Sequence, residues 1–309
     1  MINQTNWGIV GLGVMGTSLS RNFADKGTSL SLYNREVVGS EEGVALSHTK
    51  HYPELKNAIP FNALPSFIGS IKKPRKILLM LPAGSPTDSV IKKLIPLLTK
   101  GDVIIEGGNS HFKDTEKRAK QLSAAGIHFL GMGVSGGEEG ALKGPALMIG
   151  GAKEAYVLVK KDLSAIAAKN LKGVPCCNFI GSGGAGHFVK MIHNGIEYAE
   201  MQLLAEVISL ALSDPSNSIK TIQKMLQDWQ KTTSESYLLD ITASLLGFQE
   251  SGRPFIDSIK DEASNKGTGA WATAEGAELG SANSLMASAL HARFTSSNKK
   301  QRSLLSKTF

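Results

Sequence analysis

Gly11-Leu12-Gly13-Val14-Met15-Gly16 follows the apolar run Trp7–Val10 and opens a segment with helical spacing. A Gly-x-Gly-x-x-Gly between a strand and a helix is typical of the first turn in a dinucleotide-binding sheet. Gly11 permits the tight turn, Gly13 lets a pyrophosphate approach the backbone, and Gly16 lets the helix pack closely on the sheet. The N-terminus of that helix offers free N–H groups to the phosphates. The stretch therefore predicts a nucleotide-binding α/β domain at the start of the chain.

Outward from this turn, apolar runs alternate with helical segments. The predicted strands are Trp7–Val10, Ser29–Tyr33, Lys76–Leu81, Asp102–Glu106, Ile127–Leu130 and Ala146–Gly150. The predicted helices between them are Gly13–Lys26, Pro86–Leu98, Asp114–Ala125 and Lys153–Ala168. This alternation indicates a doubly wound parallel sheet.

Near residue 180 the pattern changes to helices without a convincing strand. They are predicted over Gly183–Leu212, Ile219–Trp229, Ser236–Leu246 and Ala274–Phe294. We therefore predict a doubly wound domain over residues 1–180 and an all-α domain over residues 181–309.

Composition narrows the classes of function. The 309 residues are 41% hydrophobic and 20% charged, as in a soluble globular protein. The net charge of +7 is spread along the chain and aromatic residues make up only 6%, which argues against a nucleic-acid partner. No apolar run could span a membrane, and no signal-peptide pattern is evident. Cys176 and Cys177 are adjacent, and we predict neither a disulfide framework nor a metal site, so we expect a protein of the reducing cytoplasm.

The end of the second strand, Tyr33-Asn34-Arg35-Glu36, bears on the choice of cofactor. Enzymes that use NAD usually place an acidic residue there to bind the ribose hydroxyls. Asn34 carries no charge that would repel a 2′-phosphate, and Arg35 can bind one with two hydrogen bonds. Glu36 acts in the opposite direction, because a carboxylate repels the phosphate. The segment favours NADP over NAD.

Other polar turns could bind an acidic substrate. Glu106-Gly107-Gly108-Asn109-Ser110 and Val134-Ser135-Gly136-Gly137 each follow a predicted strand, at the sheet edge where ligands gather. Lys266-Gly267-Thr268-Gly269 is a basic loop, and Arg293 lies on a predicted helix. Each could bind a phosphate or carboxylate, although any one alone could equally be a surface feature.

Residues 186–198 place reactive groups on one side of a helix. At about 100° per residue, Lys190, His193, Asn194 and Glu197 form a single stripe. A lysine and a carboxylate two turns apart suit a reaction that moves protons at both ends of a small polar substrate. The same stripe in isolation would also fit an exposed polar face.

Together these segments, in this order along the chain, resemble decarboxylating 6-phosphogluconate dehydrogenase. The resemblance rests most strongly on residues 134–140 and 186–198. It implies a Rossmann domain followed by an all-α domain, NADP as the oxidant and a homodimer. The implied reaction converts 6-phosphogluconate to ribulose 5-phosphate and carbon dioxide, a step of the pentose phosphate pathway and of gluconate utilization.

The resemblance also implies roles for individual residues. Lys190 would be the general base, and then acid, at the C3 oxygen, and Glu197 would protonate C1 of the enediol. The substrate would be bound by Asn109, Ser135, Gly136, Gly137, His193, Asn194, Tyr198, Lys266 and Arg293. The cofactor would be bound by Gly11, Leu12, Gly13, Val14, Met15, Gly16, Asn34, Arg35, Glu36, Leu81, Pro82, Ala83 and Asn109.

The sequence departs from the family at three places. Relatives usually have a small hydroxyl residue at the position of Glu36, and often a lysine at that of Pro82. Longer members continue past the position of Phe309 with helices and a tail that contributes an arginine and a histidine to the phosphate site, so we expect a shortened helical domain. Two alternatives follow: a β-hydroxyacid dehydrogenase that acts on a smaller acid, and a cofactor-binding protein with weakened or lost activity.

Overall fold

The computed structural model describes residues 4–265 and 267–308. The chain divides into two compact units, Met1–Lys190 and Met191–Phe309. The division falls inside a long helix, so residues on the first turns of that helix belong to the first unit.

Strands and helices alternate in the first unit, whereas the second unit is mostly helical. The strands of the described chain are β1 (Trp7–Val10), β2 (Leu30–Tyr33), β3 (Ile59–Phe61), β4 (Lys76–Leu79), β5 (Val103–Glu106), β6 (His128–Ser135), β7 (Ala146–Gly151), β8 (Cys177–Gly181), β9 (Gln249–Glu250) and β10 (Arg253–Pro254). The α-helices are α1 (Val14–Asp25), α2 (Val44–His51), α3 (Leu64–Gly69), α4 (Ser85–Leu94), α5 (Phe112–Ala124), α6 (Gly137–Lys143), α7 (Lys153–Ile166), α8 (Ala185–Ser213), α9 (Ile219–Trp229), α10 (Tyr237–Gly247), α11 (Thr268–Glu278), α12 (Ser284–Ser297) and α13 (Lys299–Leu305).

The first unit contains one eight-stranded sheet in the order β3-β2-β1-β4-β5-β6-β7-β8. The six strands from β3 to β6 run parallel, which confirms the doubly wound sheet expected from the sequence. One strand departs from the parallel direction, because β7 pairs antiparallel with β6 and parallel with β8. The ten residues 136–145 that join β6 to β7 are too few for a parallel crossover, which usually takes a dozen or more.

Continuous apolar runs place the central strands between two layers of helices. Every residue of β1 and of β5 is buried, as in strands covered on both faces. On one face, Trp7 packs on Phe23 of α1 with ring centroids 4.9 Å apart. Gly27 then ends α1 with a φ of +79°, and its N–H donates to the Ala24 carbonyl, as predicted for a helix cap.

The second unit is built around helices. Its core joins α9 and α10 through Ile222, Leu226, Leu239, Ala243 and Leu246. The two-residue strands β9 and β10 form a small hairpin that the sequence did not predict. The single helix predicted over Ala274–Phe294 is wrong, because α11 ends at Glu278 and α12 begins at Ser284, with Gly280 at a φ of +65° between them. Within the described residues, no helix has both the length and the apolar character needed to cross a membrane.

Candidate active site

The turn between β1 and α1 is shaped to receive a phosphate group. Gly11 has a φ of +90°, and a Cβ on Gly16 would collide with the Gly11 carbonyl, so both positions require glycine. A Cβ on Gly13 would meet nothing within 4 Å, and no side chain caps the helix N-terminus there. Val14 is exposed, whereas Leu12 is buried and Met15 packs against the core. The residues present therefore fit the pyrophosphate of a dinucleotide at the N-terminus of α1.

Three loops at the carboxyl edge of the parallel strands pack on one another through glycines. A Cβ on Gly11 would lie 2.9 Å from the Leu81 side chain, and one on Gly108 would lie 2.5 Å from the Leu81 carbonyl oxygen. The loops after β1, β4 and β5 therefore meet, and Asn109 is exposed beside them. Pro82 is exposed and Ala83 half-buried in the middle loop.

The residues after β2 are tied both to the glycine turn and to a carboxylate. The Leu12 N–H donates to Asn34 Oδ1 over 3.0 Å, and Asn34 Nδ2 donates to Glu41 Oε2 over 3.0 Å. Arg35 forms an ion pair with Glu41 at 2.7 Å, and this pair lowers the pKa of Glu41. Glu36 instead accepts a hydrogen bond from the Gly43 N–H over 2.9 Å.

Glycines on β6 let the start of α8 lie directly against the sheet. A Cβ on Gly133 would lie 2.5 Å from Lys190 Cβ, and one on Gly131 would lie 3.0 Å from His187 Nδ1. Gly131 and Gly133 are two residues apart and so face the same side of the sheet. Lys190, 8% exposed, is therefore fixed close to the end of β6.

The end of β6 and the start of α6 carry the second predicted glycine turn. Ser135, the last residue of β6, is half-buried, and Gly136 and Gly137 after it are exposed. Gly136 has a φ of +131°, and a Cβ there would lie 2.9 Å from Gly140 Cα. The turn therefore presents backbone rather than side chains.

A buried ionic network supports the loop that carries Asn109. Arg118 on α5 bonds the Glu106 carboxylate over 2.9 Å, and the Ser110 hydroxyl donates to the same carboxylate. Arg118 also reaches Asp88 on α4 over 2.7 Å and the Gly84 carbonyl over 3.3 Å. Burial raises the pKa of Glu106 even though Arg118 opposes that shift. Arg118 thus joins the loops after β4 and β5.

His187 is a second buried polar group beneath this region. It is 1% exposed, and its Nδ1 lies 2.7 Å from the Thr115 hydroxyl. Its Nε2 is buried without a hydrogen-bond partner among the described residues. Burial, and then the charge of Arg118, lower the pKa of His187 to about 4, so the ring is neutral near pH 7.

In the second unit, α8 continues with the polar stripe predicted from the sequence. His193 Nδ1 lies 3.4 Å from Glu197 Oε2 and 3.2 Å from Asn194 Oδ1. Asn194 Nδ2 donates to the Thr268 hydroxyl over 3.3 Å. Gly195 makes this possible, because a Cβ there would lie 2.8 Å from both Ala272 of α11 and Met286 of α12. Imidazole, amide and carboxylate are therefore neighbours.

Two of the residues predicted to bind the substrate phosphate, Tyr198 and Arg293, lie in contact in this unit. The Arg293 guanidinium lies 3.8 Å from the centroid of the Tyr198 ring, a cation–π contact. That ring packs on Gly269, where a Cβ would lie 2.6 Å from it, in the first turn of α11. Lys266 lies outside the described residues.

Three features of the site are not predicted from the sequence: the ion pairs of Arg118, the pairing of Glu41 with Arg35, and the buried imidazole of His187. A charged residue on the apolar face of a predicted helix was the available signal for Arg118, since Thr115 and Leu122 on the same helix are also buried. Glu41 gave no such signal, because its contact with Arg35 depends on how the loop folds.

A cavity of about 440 Å³ lies elsewhere in the first unit. It is lined at the start of β6 by His128 and at the end of β7 by Gly151. Because β7 runs opposite to β6, this is the other edge of the sheet from the glycine turns.

Comparisons with known proteins agree with this arrangement. Residues 6–181 match a family model described as the NAD binding domain of 6-phosphogluconate dehydrogenase, and residues 186–309 match the C-terminal domain of the same enzyme. The chain is 44% identical over 297 residues to the NADP(+)-dependent, decarboxylating 6-phosphogluconate dehydrogenase of Bacillus subtilis. It is 45% identical over 301 residues to the decarboxylating enzyme of Escherichia coli K12.

These matches cover almost all of the chain but less of each relative. They cover 96% of the chain and 62% of the Bacillus protein, and 97% and 63% for the Escherichia protein. The Plasmodium falciparum 6-phosphogluconate dehydrogenase structure aligns with a TM-score of 0.89 at 35% identity, covering 98% of the chain and 64% of that protein. A Mycobacterium tuberculosis 3-hydroxyisobutyrate dehydrogenase aligns at 0.73 with 18% identity, covering 94% of the chain and 93% of that protein, which indicates a shared fold alone.

Proposed function

Because the chain belongs to the 6-phosphogluconate dehydrogenase family, we propose that it catalyses the NADP-dependent oxidative decarboxylation of 6-phosphogluconate to ribulose 5-phosphate and carbon dioxide. The observation that carries this proposal is the position of Lys190, which is buried on α8 and packs against Gly133 of β6. Glu197 lies two turns later on the same helix. The chain spans less than two thirds of the length of the relatives it matches, and the activity proposed here is that of those longer proteins.

NADP fits the nucleotide-binding residues of the first unit. The N-terminus of α1 and Gly13 are open to the pyrophosphate. Leu81, Pro82, Ala83 and Asn109 lie on the loops beside this turn and would complete the cofactor site. Arg35, whose side chain is 68% exposed and paired with Glu41, would bind the 2′-phosphate. When bound, NADP supplies the oxidation by accepting hydride from C3 of the substrate.

Lys190 would move the proton at the C3 oxygen. As the free amine it takes the proton from the hydroxyl while C3 is oxidised to a ketone. The resulting ammonium then donates to the ketone oxygen, which stabilises the negative charge that develops as carbon dioxide leaves. Contact with Gly133 fixes the side chain for both steps.

Glu197 would complete the reaction by protonating C1 of the enediol while Lys190, again the free amine, takes back the proton of the neighbouring enol hydroxyl, which becomes the ketone of the product. His193 lies 3.4 Å from that carboxylate and 3.2 Å from Asn194, and both side chains would orient the sugar acid through hydrogen bonds. On the family resemblance, Asn109, Ser135, Gly136 and Gly137 would also bind the sugar acid.

Tyr198, Arg293 and Lys266 would bind the substrate phosphate. Two observations support this assignment. Arg293 stacks on Tyr198, and the N-terminus of α11 beside them has no side-chain cap. A helix N-terminus favours a negative charge. This contact would select a phosphorylated acid over a smaller one.

We further propose a homodimer and a cytoplasmic location. Ile196, Leu203 and Leu210 lie seven residues apart on α8 and are 56%, 45% and 76% exposed, which places an apolar stripe on one face of that helix. Stripes of this kind are usually covered by a partner. Sedimentation velocity of the parent and of Leu210→Glu tests the dimer, since the charged variant should shift toward monomer.

The reaction itself is tested by one assay on the purified chain. It should reduce NADP at 340 nm with 6-phosphogluconate and release carbon dioxide in equal amount. Turnover of hydroxyisobutyrate but not of the phosphorylated acid would contradict the substrate assignment. Dinucleotide binding without turnover at millimolar substrate would contradict catalysis itself.

A further inference from the structure

The loop that should receive the 2′-phosphate of NADP is itself negatively charged. Residues 35–42 contain one arginine and three glutamates, a net charge of −2. A 2′-phosphate carries charge of the same sign and would be repelled by that excess. The arrangement of the three carboxylates therefore decides how strongly the loop favours NADP.

Glu41 is the carboxylate that contacts the arginine. Arg35 Nη2 donates to Glu41 Oε1 over 2.7 Å, and Arg35 Nε lies 3.2 Å from the same oxygen. The fold of the loop creates this pair, because the N–H of Glu41 donates to the Val37 carbonyl over 2.8 Å and turns the chain back at Gly39. One edge of the guanidinium is thus occupied by a carboxylate.

Glu41 is also connected to the nucleotide turn. Its Oε2 accepts from Asn34 Nδ2, and Asn34 Oδ1 accepts from the Leu12 N–H between the first two glycines. Two hydrogen bonds therefore link this carboxylate to the backbone that would bind the pyrophosphate.

The other two carboxylates have different partners. Glu36 accepts from the Gly43 N–H over 2.9 Å, and Glu42 accepts from the Gly39 N–H over 2.7 Å. Both carboxylates therefore accept hydrogen bonds from backbone N–H groups of the loop region. They contribute charge to the loop without occupying the guanidinium.

We infer that Glu41 is a specificity-determining residue that competes with the 2′-phosphate for Arg35 and so narrows the preference for NADP over NAD. The inference rests on the proposed function in so far as Arg35 is taken as the 2′-phosphate ligand. NAD has only a hydroxyl at that position, and its binding does not require Arg35 to leave Glu41.

Glu41→Gln removes the charge and keeps the shape and one acceptor oxygen. The amide oxygen can still accept from Arg35, while the amide NH2 replaces the oxygen that accepts from Asn34 Nδ2, and the affinity for NAD reports the effect of losing that second bond. The ion pair is largely exposed, with Arg35 68% and Glu41 35% accessible, so its effect on a ligand is moderate. We expect the affinity for NADP to rise about fivefold and that for NAD to change less than about twofold.

The experiment is titration calorimetry of the parent and variants with NADP, NAD, 2′,5′-ADP and 5′-AMP. The last two isolate the 2′-phosphate, because they differ in that group and lack the nicotinamide. Glu42→Gln is the matched control: it removes the same charge from the same loop but leaves the Arg35 pair intact, and should change the ratio of the two affinities less than about twofold. An equal effect of both variants, or a weaker affinity of Glu41→Gln for 2′,5′-ADP, would overturn the inference.

The outcome also separates this inference from the proposed function. If the parent oxidises 6-phosphogluconate and Glu41→Gln leaves the ratio of affinities unchanged, the inference alone fails. If the parent binds NADP without turnover and the ratio rises as expected, the proposed catalysis fails and the inference stands. If the parent binds neither dinucleotide, both are wrong.

Discussion

The buried imidazole of His187 should make the first unit sensitive to mild acid. The ring is 1% exposed, and its pKa of about 4 lies below the value of about 6.5 that it regains in an unfolded chain. Between these values the unfolded chain binds more protons than the folded protein, so the free energy of unfolding decreases as the pH falls. The loss attributable to this one group is about 2 kcal/mol at pH 5 and about 3 kcal/mol below pH 4.

Urea unfolding, followed by the fluorescence of Trp7, measures the free energy of unfolding of the first unit. Trp7 is fully buried in the core of the first unit, and replacing Trp229 and Trp271 with phenylalanine leaves it as the sole tryptophan. In this background His187→Gln removes the titrating group and keeps an amide that can bond Thr115. Between pH 7.5 and 5 the parent should lose about 2 kcal/mol more than the variant. Losses that agree within about 0.5 kcal/mol would refute the argument.

Three further changes probe the site. Gly133→Ala would place a Cβ 2.5 Å from Lys190 Cβ and should lower kcat about tenfold or more. The control Gly69→Ala has nothing within 4 Å of its new Cβ and should leave kcat unchanged. Equal rates for both variants would contradict the claim that contact with Gly133 fixes Lys190. Arg118→Met leaves the Glu106 carboxylate buried without its cation and should lower the free energy of unfolding in urea by about 3 kcal/mol or more. The double variant Arg118→Met/Glu106→Leu should regain most of that loss, and no recovery would show that the buried charge is not the cause. Arg293→Leu should raise KM for 6-phosphogluconate about tenfold with an unchanged Kd for NADP, and an unchanged KM would remove Arg293 from the phosphate site.

Continuous apolar runs made the central strands predictable, and weaker patterns hid the others. The strands β1, β4 and β5 are buried along nearly their whole length. The edge strand β3 has only three residues, one of them Pro60, and in β8 only Cys177 is buried. Short or interrupted runs resemble loops, so both strands were missed. The reversed direction of β7 depends on the short connection through α6, which the pattern of apolar residues does not show.

The site was predictable where function depends on neighbours along the chain. The glycine turn and the stripe from Lys190 to Glu197 are local, and helical spacing alone places the stripe on one face. Tyr198 and Arg293 are far apart in sequence, and only the family resemblance assigned both to one phosphate site; their stacking was not predicted. The pairing of Glu41 with Arg35 required the loop conformation itself.

The most direct test of the proposed mechanism is the turnover of Lys190→Met with 6-phosphogluconate and NADP, measured beside the surface variant Lys153→Met. Methionine keeps the apolar stem of the side chain and removes the group that exchanges the proton. We expect kcat to fall about a thousandfold for Lys190→Met, with an unchanged Kd for NADP, and to stay at the parent value for Lys153→Met. A Lys190→Met variant that retains kcat within tenfold of the parent would contradict the assignment of Lys190 as the base.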